Sequence, residues 1–564
     1  MAGLLIKKDL DKLIADANDP LAGEAVHGAH AGGQLKRTLS AFNLTMLGIG
    51  AIIGAGIFSL TGTASAEYAG PGIVYSFMIG GVLCALAGVC YAEMAAMIPV
   101  AGSAYAYSYA TMGEFIAWII GWDLILEYAF GAVTVSVSWS GYFLSLLHKS
   151  IGLPITDTML RLTKGPWETV ILNDGMTQAY GYWNLPASFI GLAVAAILYR
   201  GIKESAKVNN VIVVVKVSIV LIFIALGITL ISGDNLFANP AATGFAALVP
   251  AKEWITVNGQ QVYAYGWGLN GVLTGAGVVF FAYIGFDAVS TTAQEAKNPK
   301  RDLPIGILGS LVICTFLYIL VALTLTGVVN FKQLGVSDPI AVGIDRIVAM
   351  RGWTPWAQTA FTTVIKFGAL CGLTSVILVM MMGQTRIFYA MSKDGLLPWF
   401  GAVHKEHGTP YIATILTGCF VAVCGGVLPM SLVGQLVSIG TLLAFVLVCI
   451  GVPLLRVANP TIERPFKVPG GMVGAWIVGL AGAAACLYVM YGLPTDTWLR
   501  LIFWLEVGLM IYGGFGWRHS RLADPRSTPA RANPHRVILG VATVGFVLTL
   551  LFALGWLKFL GVGM

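Results

Sequence analysis

Apolar runs of about twenty residues recur along almost the whole chain, from residue 42 to residue 557. A run of that length matches the hydrocarbon thickness of a bilayer. Inside lipid each backbone N–H and C=O must pair within its own segment, so every such run is constrained to be a helix. Read in order, the runs predict spans at about 42–61, 72–98, 113–146, 185–199, 209–232, 269–292, 304–329, 359–386, 411–428, 432–455, 472–492 and 498–516, with a thirteenth at 536–557. Charged residues make up 11% of the chain and hydrophobic ones 57%, whereas soluble domains carry about 25% charge. The fold class is therefore an all-α polytopic membrane protein.

The charge of the connecting segments orients the spans. With the N-terminus inside, 22 of the 33 Lys and Arg fall on the inner side, as the positive-inside rule demands, which predicts a cytoplasmic N-terminus and a plasma-membrane location. The net charge of +6 comes from these dispersed loop residues, so no nucleic-acid partner is expected. Residues 1–40 read as a cytoplasmic arm with a short amphipathic stretch at Leu4 to Ala15 and no cleavable signal. The segments 148–184, 232–268 and 330–358 read as outer caps without a recognisable module, and 517–536 as a basic linker to an appended span. The eight cysteines all fall within spans, and neither a disulfide frame nor a metal site is expected.

Two spans carry glycine where a stable helix favours Ala or Leu. Span 1 contains GIGAIIGAGIF at Gly48 to Phe58, and span 6 contains FFAYIGFD at Phe280 to Asp287. Taken alone, the first stretch reads equally as a helix break and as a small-residue face for close helix packing, since Gly50 and Gly54 also fit the latter spacing. Opened at Gly54, Ala55 and Gly56, the backbone would turn free N–H groups and the positive end of a half-helix inward, where a carboxylate fits. Because spans 1 and 6 stand five apart, breaks in both predict a repeat of five spans followed by its inverted copy, with the broken helices meeting at the midplane. The predicted organisation is an arm at 1–40, a first repeat at 41–232, a second repeat at 269–456, spans 11 and 12 at 472–516, and the linker with span 13 at 517–564.

These two stretches, with EAKNPKRDLP at Glu295 to Pro304, GWDLILEY at Gly121 to Tyr128, GQTRIFYAMSKDGLLP at Gly383 to Pro398 and RPFKVPGG at Arg464 to Gly471, resemble the amino acid-polyamine-organocation transporters. Within that superfamily the closest likeness is to bacterial relatives of the cationic amino acid transporters. The resemblance implies that N–H groups of Ala55 and Gly56, with Gly54 permitting the turn, bind the substrate carboxylate. Carbonyls near Ile52 and from Phe280 through Ala282 to Tyr283 would take the ammonium, Phe281 would close over the substrate, and Ile284 would line its side-chain pocket. It also implies that Lys216 on span 5 occupies the cation place of sodium-coupled relatives, near Gly50 to Ile53 and near Thr374 and Ser375.

An ionisable group within a span is functional by default, and Lys216 lies in the apolar run VIVVVKVSIV. Its alternatives are a proton-exchanging ammonium and a fixed charge held by carbonyls or snorkelling to the interface. Glu127 and Asp287 are the acids expected to couple to it, whereas Asp123 reads as solvated, and Glu93 and Lys366 as snorkelling from span ends. Glu506 on peripheral span 12 is expected to touch another span or subunit. No zinc-binding HExxH, catalytic triad or phosphate-binding loop occurs, so neither an enzyme nor an ATP-driven pump is expected, and no cofactor. The expected activity is proton-coupled import of L-amino acids by alternating access, with exchange or non-transporting sensing as the alternatives. Neutral side chains of small to medium size are favoured, because the acids that would hold a cationic one are assigned to coupling. Expected partners are the amino acid, a proton and the surrounding lipids; a small membrane-protein partner is left open and unidentified.

Overall fold

A computed structural model describes residues 6–10 and 39–553, apart from 101, 175, 201, 240, 251–253, 258–259, 264–268, 337, 405, 494 and 521–533. Each of the thirteen expected spans has a helical counterpart among these residues. Nine segments are long and apolar enough to cross a membrane, the first of which, 41–97, contains spans 1 and 2, and three shorter apolar helices supply spans 4, 9 and 13. The chain is thus an all-α multi-pass membrane protein. Strands among the described residues are confined to two small antiparallel hairpins, Thr169–Ile171 with Gln178–Tyr180 and Trp254–Val257 with Gln260–Tyr263. They lie in segments expected to be plain caps. The third such segment also holds a helix, Pro339–Met350.

Span 7 (Pro299–Val328) lies along span 2 (Ile73–Met97) and the first half of span 1 (Ala41–Ile52). Span 8 (Pro355–Lys393) runs beside span 3, whose parts are Glu114–Ile125, a π-helical turn Leu126–Phe130 and Gly131–Ser145. Span 8 is 39 residues long, well beyond the expected 359–386, because the helical pattern continues through polar Arg386 and Lys393 after the apolar run ends. Just before span 1, Leu39 pairs with the chain after span 6 through Leu39 N–H to Glu295 O (2.9 Å) and Lys297 N–H to Leu39 O (2.8 Å). Spans 1 and 6 are thereby tied at the N-terminal face as well as where Gly56 meets Ala282.

Span 12 (Thr495–Ile511) packs on span 3 through stacked indoles: Trp122 and Trp504 stand 4.7 Å apart, and Trp118 donates to Gly508 O at 2.9 Å. Span 13 (Pro534–Ala553) covers another face of span 12, where Thr549 donates to Glu506 Oε1 at 3.2 Å and Phe546 meets Phe503. Of the N-terminal arm only 6–10 and 39–40 are described; most of the amphipathic stretch lies outside the described residues. Lys8 pairs with Asp394 at 2.5 Å and Ile6 O accepts from Glu114 N–H at 3.0 Å, which places the arm's start on the N-terminal face.

Three expectations about charge are corrected. Glu93 does not snorkel: it is 1% exposed and accepts from Arg456 at 2.9 and 2.5 Å and from Val468 N–H at 2.7 Å, with Arg464 at 3.5 Å. A carboxylate held by two guanidinium groups and a backbone donor has no need of bulk water. Lys366 is also buried, at 1% exposure, and Asp123 is buried completely, not solvated. Span 8 extends past Lys366 on both sides, and neighbouring helices cover Asp123.

Candidate functional site

Span 1 leaves helical geometry at Ile53, whose φ of −74° and ψ of 94° are extended while its N–H still bonds Ile49 O at 3.0 Å. Ala55 is already helical again at φ −56°, ψ −27°, and a π-helical turn, Gly56–Leu60, follows. The break is therefore at Ile53 and Gly54, slightly earlier than the expected Gly54 to Gly56. Extended φ and ψ are open to any L-residue, so the turn at Ile53 does not itself demand glycine, while a Cβ on Gly54 would stand 2.8 Å from Val376 Cγ2 on span 8. Gly56 is needed for contact, since a Cβ there would stand 2.2 Å from Ala282 Cα on span 6. The first bond of the new half-helix runs from Phe58 N–H to Gly54 O at 3.1 Å. The N–H groups of Ala55 and Gly56 precede it and have no intrahelical acceptor.

Span 6 breaks in the matching place. Its first half, Leu269–Val279, tightens into a 3₁₀ turn at Phe280–Tyr283, Ile284 is extended at ψ 133°, and Gly285 takes φ +116° before Ala288–Thr291 resumes the helix. An L-residue rarely adopts that φ, and a Cβ on Gly285 would also stand 2.7 Å from Ala51 Cβ. The two breaks thus interlock, Gly56 against Ala282 and Gly285 against Ala51. The expected substrate residues Ile52, Gly54, Ala55, Gly56, Phe280, Phe281, Ala282 and Ile284 are all buried around this crossing.

The crossing has a clamp that the sequence reading missed. Tyr318 on span 7 lies 2.6 Å from Ile52 O and 2.9 Å from Ala282 O, so its single hydroxyl proton is shared between carbonyls freed by both breaks. Each carbonyl keeps a second lone pair for another donor. Tyr142 on span 3 similarly donates to Phe58 O at 2.6 Å. A tyrosine in mid-span was the available signal, since its hydroxyl must find a partner in lipid.

Lys216 inserts its ammonium beside the span 1 break, 2.6 Å from Gly50 O, 3.0 Å from Ile53 O and 3.0 Å from Ser375 Oγ. Thr374 does not share this place and is corrected as a cation-site neighbour. It accepts from the Trp139 indole at 3.1 Å and donates to Leu370 O. Successive residues on a helix differ by about 100° in direction, so only one of Thr374 and Ser375 can face span 1. The three Lys216 partners are neutral, and Glu127 and Asp287 are not among them.

Those two acids form a separate centre. Both are buried, Glu127 in the π-helical turn of span 3 and Asp287 just past the span 6 break. Asp287 accepts from Tyr128, whereas neither carboxyl oxygen of Glu127 has a hydrogen-bond partner among the described residues. A further ion pair joins span 8 to the end of span 6 at the N-terminal face: Arg386 donates to Glu295 at 2.5 Å, and the two side chains are 5% and 6% exposed. Arg386 and Glu295 fall in motifs that the sequence reading quoted without assigning either residue a role.

A buried cation beside one broken span, two buried acids beside the other, and two helix breaks that interlock with each other match a secondary-transporter architecture. The chain belongs to the amino acid permease family, whose sequence pattern, described as "Amino acid permease", matches residues 39–513. It is 43% identical over 491 residues to a branched-chain amino acid permease of Bacillus subtilis, covering 86% of this chain and 95% of that one. It is also 39% identical over 524 residues to a methylthioribose transporter of Bacillus subtilis, covering 93% of this chain and all of the other. A vacuolar cationic amino acid transporter 4 of Arabidopsis thaliana is 34% identical over 461 residues, 82% of this chain and 68% of that protein. The chain is accordingly a transporter of amino acids or related substrates, not an enzyme.

Proposed function

We propose that the protein imports neutral L-amino acids of small to medium size across the bacterial plasma membrane, driven by the proton gradient, with its N-terminus in the cytoplasm. The observation that carries this reading is the interlocked pair of breaks with Lys216 beside it. Free N–H groups at Ala55 and Gly56 suit a carboxylate, and the remaining lone pairs of Ile52 O and Ala282 O suit an ammonium on the same carbon. Lys216 supplies a permanent resident where a sodium ion would otherwise be needed, and buried Glu127 and Asp287 are the acids that carry the moving proton. In this reading Lys216 and the acids act from opposite sides of the crossing and communicate through spans 1 and 6.

Alternating access then requires the N-terminal face to open, which means parting Arg386 from Glu295, whereas Phe281 governs access from the other side. The neutral-substrate reading is supported by the apolar surroundings of Ile284 and Phe281 and by the likeness to a branched-chain permease. The test is radiolabelled L-leucine uptake into liposomes holding the purified protein. Accumulation against its gradient that follows an imposed proton gradient and ignores sodium supports symport; uptake that requires amino acid inside the vesicle means exchange. Competition by methylthioribose and by no amino acid would replace the substrate class.

A further inference from the structure

A cavity open to solvent lies at the N-terminal face between spans 4, 8 and 9, away from the interlocked breaks. Its walls include Leu198, Met382, Arg386, Tyr389, Val403 and Thr414. Arg386 is 4% exposed, and only one arm of its guanidinium faces Glu295: Nη2 donates at 2.5 Å, while buried Nη1 has no hydrogen-bond partner. A buried donor without an acceptor is costly, about 1–3 kcal/mol, so Nη1 marks a place where an acceptor is wanted.

The opposing wall supplies more donors. Span 9 (Tyr411–Val427) starts there, behind the wall residues Thr409 and Pro410, with no side chain capping its first turn. The opening N–H groups of a helix have no intrahelical acceptor and carry its positive dipole end. No wall residue is acidic, and Arg386 is the charged one. A forked guanidinium nitrogen opposite a helix N-terminus suits a tetrahedral oxyanion, and the apolar Leu198, Met382 and Val403 suit the carbon body attached to it. We propose that this cavity binds a phosphate group, supplied by the headgroup of an anionic phospholipid or by phosphate in solution. Because Arg386 also holds Glu295, a bound phosphate would bear directly on the ion pair that joins span 8 to span 6.

The test uses full-length protein purified in detergent, with native mass spectrometry in the presence of phosphatidylglycerol or phosphatidylcholine and thermal shift with inorganic phosphate. Val403→Trp fills the cavity and leaves the residue at 386 unchanged. Arg386→Lys keeps a charge for Glu295 but gives up the second fork nitrogen. The expected result is a phosphatidylglycerol adduct on the wild type that falls about tenfold in both variants, the scale of a lost charge-assisted hydrogen bond, with little phosphatidylcholine bound throughout. Stabilisation by inorganic phosphate that both variants lose assigns the soluble source to the same site. Equal binding of both probes to wild type and Val403→Trp, or no binding of either to the wild type, overturns the proposal.

Discussion

Replacing Tyr318 with Phe removes one oxygen and leaves the ring in place, so it isolates the clamp between the two breaks. The hydroxyl lies 2.6 Å from Ile52 O and 2.9 Å from Ala282 O, and no other hydroxyl donates to these two carbonyls among the described residues. Hydrogen bonds between membrane helices average about 0.6 kcal/mol and reach about 1.7, so the one proton that Tyr318 shares between the two carbonyls is worth about 0.6–1.7 kcal/mol. Without ligand, Tyr318→Phe should therefore lower the melting temperature, followed in detergent by intrinsic tryptophan fluorescence. If the substrate ammonium bonds the same carbonyls, it satisfies acceptors that the variant leaves bare. A saturating neutral amino acid such as L-leucine should then raise the melting temperature of Tyr318→Phe by more than it raises that of the wild type. An unchanged melting temperature in the ligand-free variant would refute the clamp. A smaller ligand response in the variant would refute the shared use of the carbonyls.

Lys216→Met should abolish gradient-driven accumulation of L-leucine in liposomes while thermal-shift binding persists; uphill uptake by the variant would end the assignment of Lys216 to coupling. Gly56→Ala places a methyl group 2.2 Å from Ala282 Cα, where carbons pack at about 3.5–4.0 Å. The breaks must part by more than about 1 Å, a misplacement that costs on the order of 100-fold in rate, and initial uptake near the wild-type value would show that the crossing tolerates separation. Glu93→Gln strips the counter-charge from Arg456 and Arg464, and breaking a buried ion pair costs about 3–5 kcal/mol. The yield of monodisperse protein should collapse, and a normal yield with a normal melting temperature would contradict it.

The sequence by itself determined the spans. Lipid obliges each apolar run to satisfy its own backbone, a local rule that hydropathy reads directly, and every expected span has its helix. It also marked spans 1 and 6 as interrupted, because glycine is unfavourable in a helix whatever surrounds it. The particular job of each glycine was not legible: Gly56 serves a contact with Ala282, and Ile53 makes the turn. Side-chain partnership was left to the tertiary structure. Ser375 and not Thr374 meets Lys216 because the rotation of span 8 is set by all the helices packed on it. Glu93 is buried because Arg456, 363 positions away, arrives beside it. The bond from the Tyr128 hydroxyl to Asp287 likewise exists only where spans 3 and 6 are brought together. A span's existence is a property of one segment in lipid, whereas a charge's partner is a property of several segments at once, so only the assembled bundle decides it.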